Sequence, residues 1–218
     1  MNRMTLPFCC LLAAVGCVVA QPAKPLFKQN FEDAKPPALP ADFLVLEGEF
    51  TVKAEGANKF LELPGSPLDT FGVLFGPTAK SDVAAESRFF GTGKGRRFPS
   101  FGIGLNGVSG YKLMVVPSKK ALEILRNDEI KATVPFAWES GKWAHLRISI
   151  VSLNSGKFLV AGKAWQEGAK EPADWNIRFL EEAEPAPAGR ASIWGSPYSG
   201  TPILFDDLLL TPASKTGP

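Results

Sequence analysis

From Phe43 onward the chain is a succession of short apolar runs separated by glycine, proline, asparagine or aspartate. Within the runs apolar and polar residues alternate, which is typical of strands that bury one face. No stretch has a convincing 3.6-residue period of an amphipathic helix. Because about a dozen or more strands exceed what one open sheet holds easily, the pattern predicts an all-β, two-sheet antiparallel jelly-roll sandwich.

Residues 119–131 fit two structures. Ala121, Leu122 and Leu125 could share the face of a helix, whereas a hairpin that turns at Asn127 and Asp128 would leave alternating apolar residues in its second strand. Asn and Asp are residues that two-residue hairpin turns favour. We therefore predict the hairpin.

All three cysteines, Cys9, Cys10 and Cys17, lie in an apolar run that follows a short basic start. The apolar run is shorter than a typical transmembrane helix and ends in small residues. Residues 1–20 are therefore predicted to be a signal peptide that is cleaved after Ala20. A second interpretation is a lipoprotein signal, cleaved before Cys17 and leaving that cysteine acylated. We expect a secreted or periplasmic protein, or one that is lipid-anchored through Cys17.

Residues 21–211 are expected to form a single β-sandwich domain, and residues 212–218 a flexible tail. The net charge of +2 does not favour nucleic acid as a partner. No apolar run after residue 20 is long enough to span a bilayer, so we expect no transmembrane span in the mature chain.

Gly102, Gly104 and Gly107 match the spacing of a dinucleotide-binding fingerprint. That fingerprint requires a helix after the glycines, where the N-terminal end of the helix meets the pyrophosphate. Here residues 111–116 have the pattern of a strand. The glycines are therefore predicted to lie in two strands joined by a hairpin loop.

The carboxylates form no pair suited to glycoside hydrolysis, which needs two that face one another. Glu47 and Glu49 flank a turn at Gly48, and the acidic residues of segment 181–184 are expected in a solvated loop. Asp206 and Asp207, as neighbours on one strand, are expected to point to opposite faces. We assign no catalytic residue.

The segment around His145, the chain's single histidine, alternates in polarity. One face is aliphatic and is assigned to the core: Ala144, Leu146, Ile148 and Ile150. The other face carries Trp143, His145 and Arg147, followed by Ser149, and we predict that the first three bind a ligand because aromatic, imidazole and guanidinium groups suit sugars. The alternative is that the same stripe is buried and only satisfies structural partners.

Several motifs resemble those of concanavalin A-like lectin/glucanase domains, specifically the laminin-G-like, 3-keto-disaccharide hydrolase-type members of secreted bacterial proteins. The motifs are Asn30–Asp33, Phe50–Val52, Phe60–Leu63, Phe136–Trp143, Lys163–Trp175 and Phe205–Leu208. The resemblance implies the jelly-roll fold across nearly the whole mature chain. Glucanases of that superfamily carry a Glu-x-Asp-x-x-Glu strand that is missing here, so it does not imply glucanase activity.

Jelly rolls that bind sugars and resemble this chain hold a structural calcium ion between the first and last strands. Glu32 and Asp33, expected in the first strand, and Asp206 and Asp207 in the last, would supply oxygen ligands of the type that calcium prefers. This calcium ion is the one possible cofactor that we predict.

Two functions follow from these observations. The first is a secreted, lectin-like, non-catalytic module that binds a glycan or another cell-envelope component, with exposed aromatics at Trp165, Trp175, Trp194 and Tyr198. The alternative is a glycoside hydrolase or lyase whose site differs from that of the glucanases and uses His145, Arg147 and a carboxylate from another strand.

Overall fold

In a computed structural model of the chain, residues 24–153 and 156–213 are described, and within these ranges they form fifteen strands. The strands are β1 Phe27–Gln29, β2 Leu44–Glu47, β3 Thr51–Glu55, β4 Asn58–Leu63, β5 Phe71–Ala79, β6 Val83–Phe90, β7 Ser100–Leu105, β8 Tyr111–Val116, β9 Ala121–Arg126, β10 Glu129–Pro135, β11 Ala144–Ser152, β12 Phe158–Gln166, β13 Ile177–Glu181, β14 Gly189–Ser196 and β15 Ile203–Pro212. A single 3₁₀ turn covers Pro117–Lys119 in these ranges. The predicted signal peptide and residues 214–218 lie outside the described residues.

The strands form two antiparallel sheets that pack face to face. The eight-stranded sheet has the order β13, β12, β11, β6, β15, β4 and β3, with β1 also paired to β15. The seven-stranded sheet has the order β10, β9, β8, β7, β14, β5 and β2. This arrangement confirms the predicted all-β, two-sheet jelly-roll sandwich. In the described ranges, no helix is both long and apolar enough to cross a membrane.

The core lies between the sheets and follows the strand alternation. In β11, Ala144, Leu146, Ile148 and Ile150 are buried, as their spacing predicts. Phe89 of the eight-stranded sheet stacks on Phe101 of the other, with ring centroids 5.4 Å apart. Each such side chain contributes about 1.5–3 kcal/mol through burial, so no disulfide is required to hold the sheets together.

The hairpin predicted over residues 119–131 is confirmed. Strands β9 and β10 pair antiparallel, with Glu129 opposite Arg126. Asn127 and Asp128 connect them with positive φ angles of 49° and 61°. Two successive residues with positive φ make a type I′ turn, whose twist matches that of the flanking strands.

The glycines of the apparent dinucleotide fingerprint lie in a hairpin, as predicted, since β7 and β8 pair antiparallel. A Cβ atom on Gly102 would collide with the carbonyl oxygen of Leu113 and the sulfur of Met114. Glycine is needed here because the neighbouring strand passes close to the backbone.

The first and last strands of the described chain are neighbours. Phe27 lies opposite Leu210, and Gln29 opposite Leu208. The first strand was expected at Glu32 and Asp33, but both residues follow β1, while the proximity of first and last strands that the resemblance implied is observed. β15 contains a bulge between Asp206 and Leu209.

Candidate functional site

The predicted stripe lies on the outer face of the eight-stranded sheet. His145 and Arg147 are half-buried there, whereas Leu146 between them is buried in the core. Two rows of side chains cross this face, with Trp165, His145 and Arg88 in one and Lys163, Arg147 and Glu86 in the other. We call these two rows together with Trp143 the polar face. The structure therefore brings the three predicted ligand-binding residues onto one surface.

Trp143 forms one wall of a depression at the end of the polar face. Its ring centroid lies 5.6 Å from that of Phe90, and the guanidinium carbon of Arg88 lies 4.5 Å from the same Trp143 ring. The depression has a volume of about 250 Å³ and is lined by Glu55, Asn58, Phe60, Arg88, Phe90, Trp143 and Leu204. We refer to it as the Trp143 depression. It combines aromatic walls with hydrogen-bonding groups.

Arg88 is held in this position by two aspartates. Its Nη2 donates to Asp206 Oδ2 at 2.6 Å and to Asn58 Oδ1 at 3.1 Å, and its Nε lies 3.0 Å from Asp207 Oδ2. Burial raises the pKa of Asp206, and the hydrogen bond from Arg88 opposes that rise. The expectation that Asp206 and Asp207 point to opposite faces is wrong, because the bulge gives Asp207 a positive φ of 52° and both carboxylates reach Arg88.

The imidazole of His145 stacks on the indole of Trp165. Their ring centroids are 5.1 Å apart and their planes differ by 7°. Burial lowers the pKa of His145, and the nearby Arg88 cation lowers it further, so the ring is neutral at neutral pH. Among the described side chains none is hydrogen-bonded to this imidazole. The pair offers a flat aromatic surface beside the Trp143 depression.

Arg147 is engaged in a cluster of charges at the other end of the polar face. Its Nη1 lies 3.4 Å from Glu171 Oε1 and 3.9 Å from Glu86. Lys163 donates to the same Glu171 oxygen at 3.0 Å, and its Nζ lies 5.2 Å from the centre of the Trp175 ring. These contacts fold the segment after β12 over this end of the face. Arg147 remains one-third exposed and can still reach a ligand.

The residues predicted to bind calcium are not brought together as expected. Glu32 and Asp33 follow β1 and do not lie in it, while both Asp206 and Asp207 are paired with Arg88. Over residues 24–153 and 156–213, no group of three or more His, Cys, Asp or Glu side chains could hold a metal ion. The arrangement does not support the predicted calcium site.

The prediction that Glu181 lies in a solvated loop is wrong. Glu181 is the last residue of β13 and is buried. Tyr111 donates to its Oε2 at 3.0 Å and Arg126 Nη1 lies 2.5 Å from the same atom. Burial would raise the pKa of Glu181, but these hydrogen bonds outweigh it and hold the pKa below its ordinary value. Burial and the bond to Glu181 raise the pKa of Tyr111 to about 12.

Of the four aromatic residues expected to be exposed, Trp165 and Trp175 are half-buried and Tyr198 is 44% exposed. Trp194 is buried, contrary to expectation, because the side chain of Lys112 lies over its ring. Sequence reasoning missed Arg88, which lies on the outer face of β6, where buried and partly exposed residues alternate around it. Alternation along one strand indicates the sheet face on which the Arg88 side chain lies, but it does not indicate that Arg88 lies beside Trp143.

No family model matches the chain, and no curated protein matches it in sequence. Similar solved structures include a protein of unknown function with a galectin-like fold from Bacillus subtilis, at 7% identity and a TM-score of 0.61, over 88% of this chain and 97% of that one. The carbohydrate recognition domain of Emp47p shows 10% identity and a TM-score of 0.57, over 88% and 98% of the two chains. Carbohydrate binding module CBM66 from Bacillus subtilis shows 13% identity and a TM-score of 0.55, over 78% and 95%.

At these identities the likeness concerns the fold alone. The similar structures are lectin-type sandwiches that align over nearly their whole length. Together with the observed sheet order they confirm the fold that the resemblance implied. The chain has the fold of the concanavalin A-like lectin/glucanase domains.

Proposed function

We propose that the protein is a secreted, non-catalytic carbohydrate-binding module that engages a glycan on the polar face, with the Trp143 depression as its main contact. The single observation that carries this proposal is the depression itself. Trp143 and Phe90 form an aromatic corner, and Arg88 and Asn58 present polar groups at its base. Its volume of about 250 Å³ is small, which suits one sugar unit better than a large cofactor.

The chemistry of the depression matches that of a sugar ring. A pyranose has an apolar C–H face, which packs on an aromatic plane, and hydroxyl groups, which need fixed donors and acceptors. Arg88 is fixed by Asp206 and Asp207, so it loses little side-chain freedom when a ligand binds. Glu55 supplies a hydrogen-bond acceptor on the rim.

The rest of the polar face extends the site. His145 and Arg147 follow Trp143 along β11 at intervals of two residues, or about 6.6 Å. A glycan chain that occupies the Trp143 depression continues over the His145–Trp165 stack toward Arg147. All three predicted residues would then contact the same glycan.

Among the similar structures, the Emp47p domain is a carbohydrate recognition domain and CBM66 is a carbohydrate binding module. They support a carbohydrate ligand for this fold. Secretion is part of the proposal because residues 1–20 have the pattern of a signal peptide, with lipid attachment through Cys17 as the alternative.

The enzymatic alternative needs a base or acid at His145 with a carboxylate partner. The imidazole is instead stacked flat on Trp165, and within the described chain no carboxylate is hydrogen-bonded to it. Arg147 is paired with Glu171 and Glu86. The geometry therefore favours binding over hydrolysis or elimination.

The test is a glycan array on purified residues 21–218, followed by calorimetric titration with the glycans that bind. We expect Trp143→Ala to weaken binding by about tenfold or more, because it removes the aromatic wall. Trp175→Ala is the matched control, since it removes the same type of side chain outside the depression. The same glycans are incubated with the protein and their reducing ends are measured, to detect cleavage.

The proposal would be wrong if no glycan on the array bound, or if both tryptophan variants bound as tightly as the wild type. Cleavage of a bound glycan that His145→Ala abolished would establish the enzymatic alternative instead. Thermal unfolding of each variant distinguishes a lost contact from a lost fold.

A further inference from the structure

We propose that the opposite face of the sandwich carries a second sugar site, centred on Trp194 of the seven-stranded sheet, which makes the module bivalent. The inference rests on the proposed function for its class of ligand. The evidence is a depression of about 160 Å³ that is lined by Thr70, Lys112, Met114, Leu125, Asp128, Trp194 and Ser196. We call it the Trp194 depression.

The floor of the Trp194 depression is rigid. The Trp194 indole donates to Ser192 Oγ at 2.8 Å, and Lys112 Nζ lies 3.8 Å from the centre of its ring. The other side of the ring rests on the backbone of Gly72, where a Cβ atom would lie 2.7 Å from the indole. These contacts hold the indole between the backbone and the lysine with both ring faces covered, so Trp194 is a rigid base of the depression and not a stacking surface.

One wall is a series of hydroxyl groups. Thr70 Oγ1 lies 2.8 Å from Ser196 Oγ and 3.4 Å from the hydroxyl of Tyr198. Each hydroxyl can donate and accept, so the series can rearrange to meet the hydroxyls of a ligand. Tyr198 is 44% exposed and stands at the rim.

The other wall is an ion pair above apolar side chains. Lys112 Nζ donates to Asp128 Oδ1 at 2.8 Å, and the Asp128 side chain is 82% exposed, so its second oxygen can accept from a ligand. Met114 and Leu125 supply apolar surface. Because the lysine and the aspartate neutralise each other, the depression suits a neutral ligand better than an anion or a cation.

Size and chemistry together indicate one neutral sugar ring. A volume of about 160 Å³ corresponds to the liquid volume of about five water molecules. Apolar surface from Met114, hydroxyls from Thr70 and Ser196, and an acceptor on Asp128 complement the two sides of a pyranose. The two depressions lie on opposite sheets, so one module can hold two glycan chains or two parts of one chain.

The test uses the indole N–H signals of the ¹⁵N-labelled protein during titration with methyl glycosides of glucose, mannose, galactose and N-acetylglucosamine. The Trp143 and Trp194 signals report separately on the two depressions, and Trp143→Phe and Trp194→Phe assign them. We expect at least one glycoside to shift the Trp194 signal and the Met114 methyl signal along one saturable curve.

Thr70→Val and Asp128→Asn each keep the shape of the side chain and should raise the Kd read at Trp194 by about tenfold, while the Kd read at Trp143 stays unchanged. Trp143→Ala should leave the Trp194 curve unchanged. The inference is overturned if no glycoside shifts the Trp194 signal, if both wall variants bind as the wild type does, or if Trp143→Ala abolishes the Trp194 response. A response at Trp194 without one at Trp143 would keep the Trp194 site, but it would overturn both the bivalency and the proposed primary site.

Discussion

The guanidinium carbon of Arg88 lies 4.5 Å from the centre of the Trp143 ring, while its nitrogens bind Asp206 and Asp207 on the neighbouring strand. One arginine thus connects the aromatic wall of the candidate site to a carboxylate that is only 1% exposed. The binding surface and the stability of the sheet depend on the same side chain.

Replacing Arg88 by alanine should lower the free energy of unfolding by about 3 kcal/mol, because Asp206 would remain buried without its counter-charge. Arg147→Ala is the matched control. Its ion pairs are longer and partly exposed, so its loss should cost less than about 1 kcal/mol. Urea denaturation measures both variants.

The effect of Arg88→Ala should also depend on pH. Burial raises the pKa of Asp206, and a protonated carboxyl group needs no counter-charge. The difference in free energy of unfolding between the wild type and Arg88→Ala should therefore become smaller as the pH falls through the pKa of Asp206. Equal losses in both arginine variants, or a gap that widens in acid, would contradict this account.

Ionisation of Tyr111 should destabilise the fold in alkaline solution. The pKa of Tyr111 is raised from 10.0 to about 12. Its contribution to the free energy of unfolding is therefore fully present below about pH 10 and is lost as the pH rises toward 12. The expected slope is about 1.4 kcal/mol per pH unit in this window. Tyr198→Phe leaves Tyr111 as the only tyrosine, so tyrosinate absorbance follows it directly.

Tyr111→Phe provides the comparison, since it keeps the ring and removes the titrating group. Its free energy of unfolding should fall less between pH 10 and 12 than that of the wild type. If the two proteins lost stability in parallel, Tyr111 would not be the group responsible.

His145 should titrate below the ordinary value of 6.5, because burial and the Arg88 cation both disfavour its charged form. The stability that it contributes is present above about pH 6.5 and is lost as the pH falls through its folded pKa. As the chain has one histidine, its C2–H signal in NMR gives the pKa without ambiguity.

Trp165→Ala should raise the pKa of His145, since removing the stacked indole admits water to the imidazole. Trp175→Ala, which removes an indole that contacts Lys163 instead, should leave it unchanged. A pKa at or above 6.5 in the wild type would show that the ring is not shielded as described.

Calcium should leave the melting temperature unchanged. Asp206 and Asp207 both form ion pairs with Arg88. Glu32 and Asp33 lie beyond the end of β1. Differential scanning fluorimetry with calcium and with a chelator measures this. A calcium-dependent rise would restore the predicted site at the paired first and last strands.

The elements that sequence predicted well are those with a strong local signal. The turn at Asn127 and Asp128 was predicted because these residues tolerate positive φ. The stripe on β11 needed only the two-residue period.

Other features depend on contacts between distant segments. Strand β1 has three residues, too few for a periodic signal, and is held by its pairing with β15. The bulge that turns Asp207 toward Arg88 depends on register, which alternation alone does not reveal. The Trp143 depression forms only because β4, β6 and β15 become neighbours.

The pairing of β1 with β15 also determines how the domain can be connected to anything else. Phe27 and Leu210 lie side by side, so the two ends of the described sandwich leave from adjacent points. A domain of this kind can be inserted into a surface loop of a host protein through two short linkers, with little distortion of either partner. Attachment through either end would therefore hold the sandwich at the same place, where β1 meets β15.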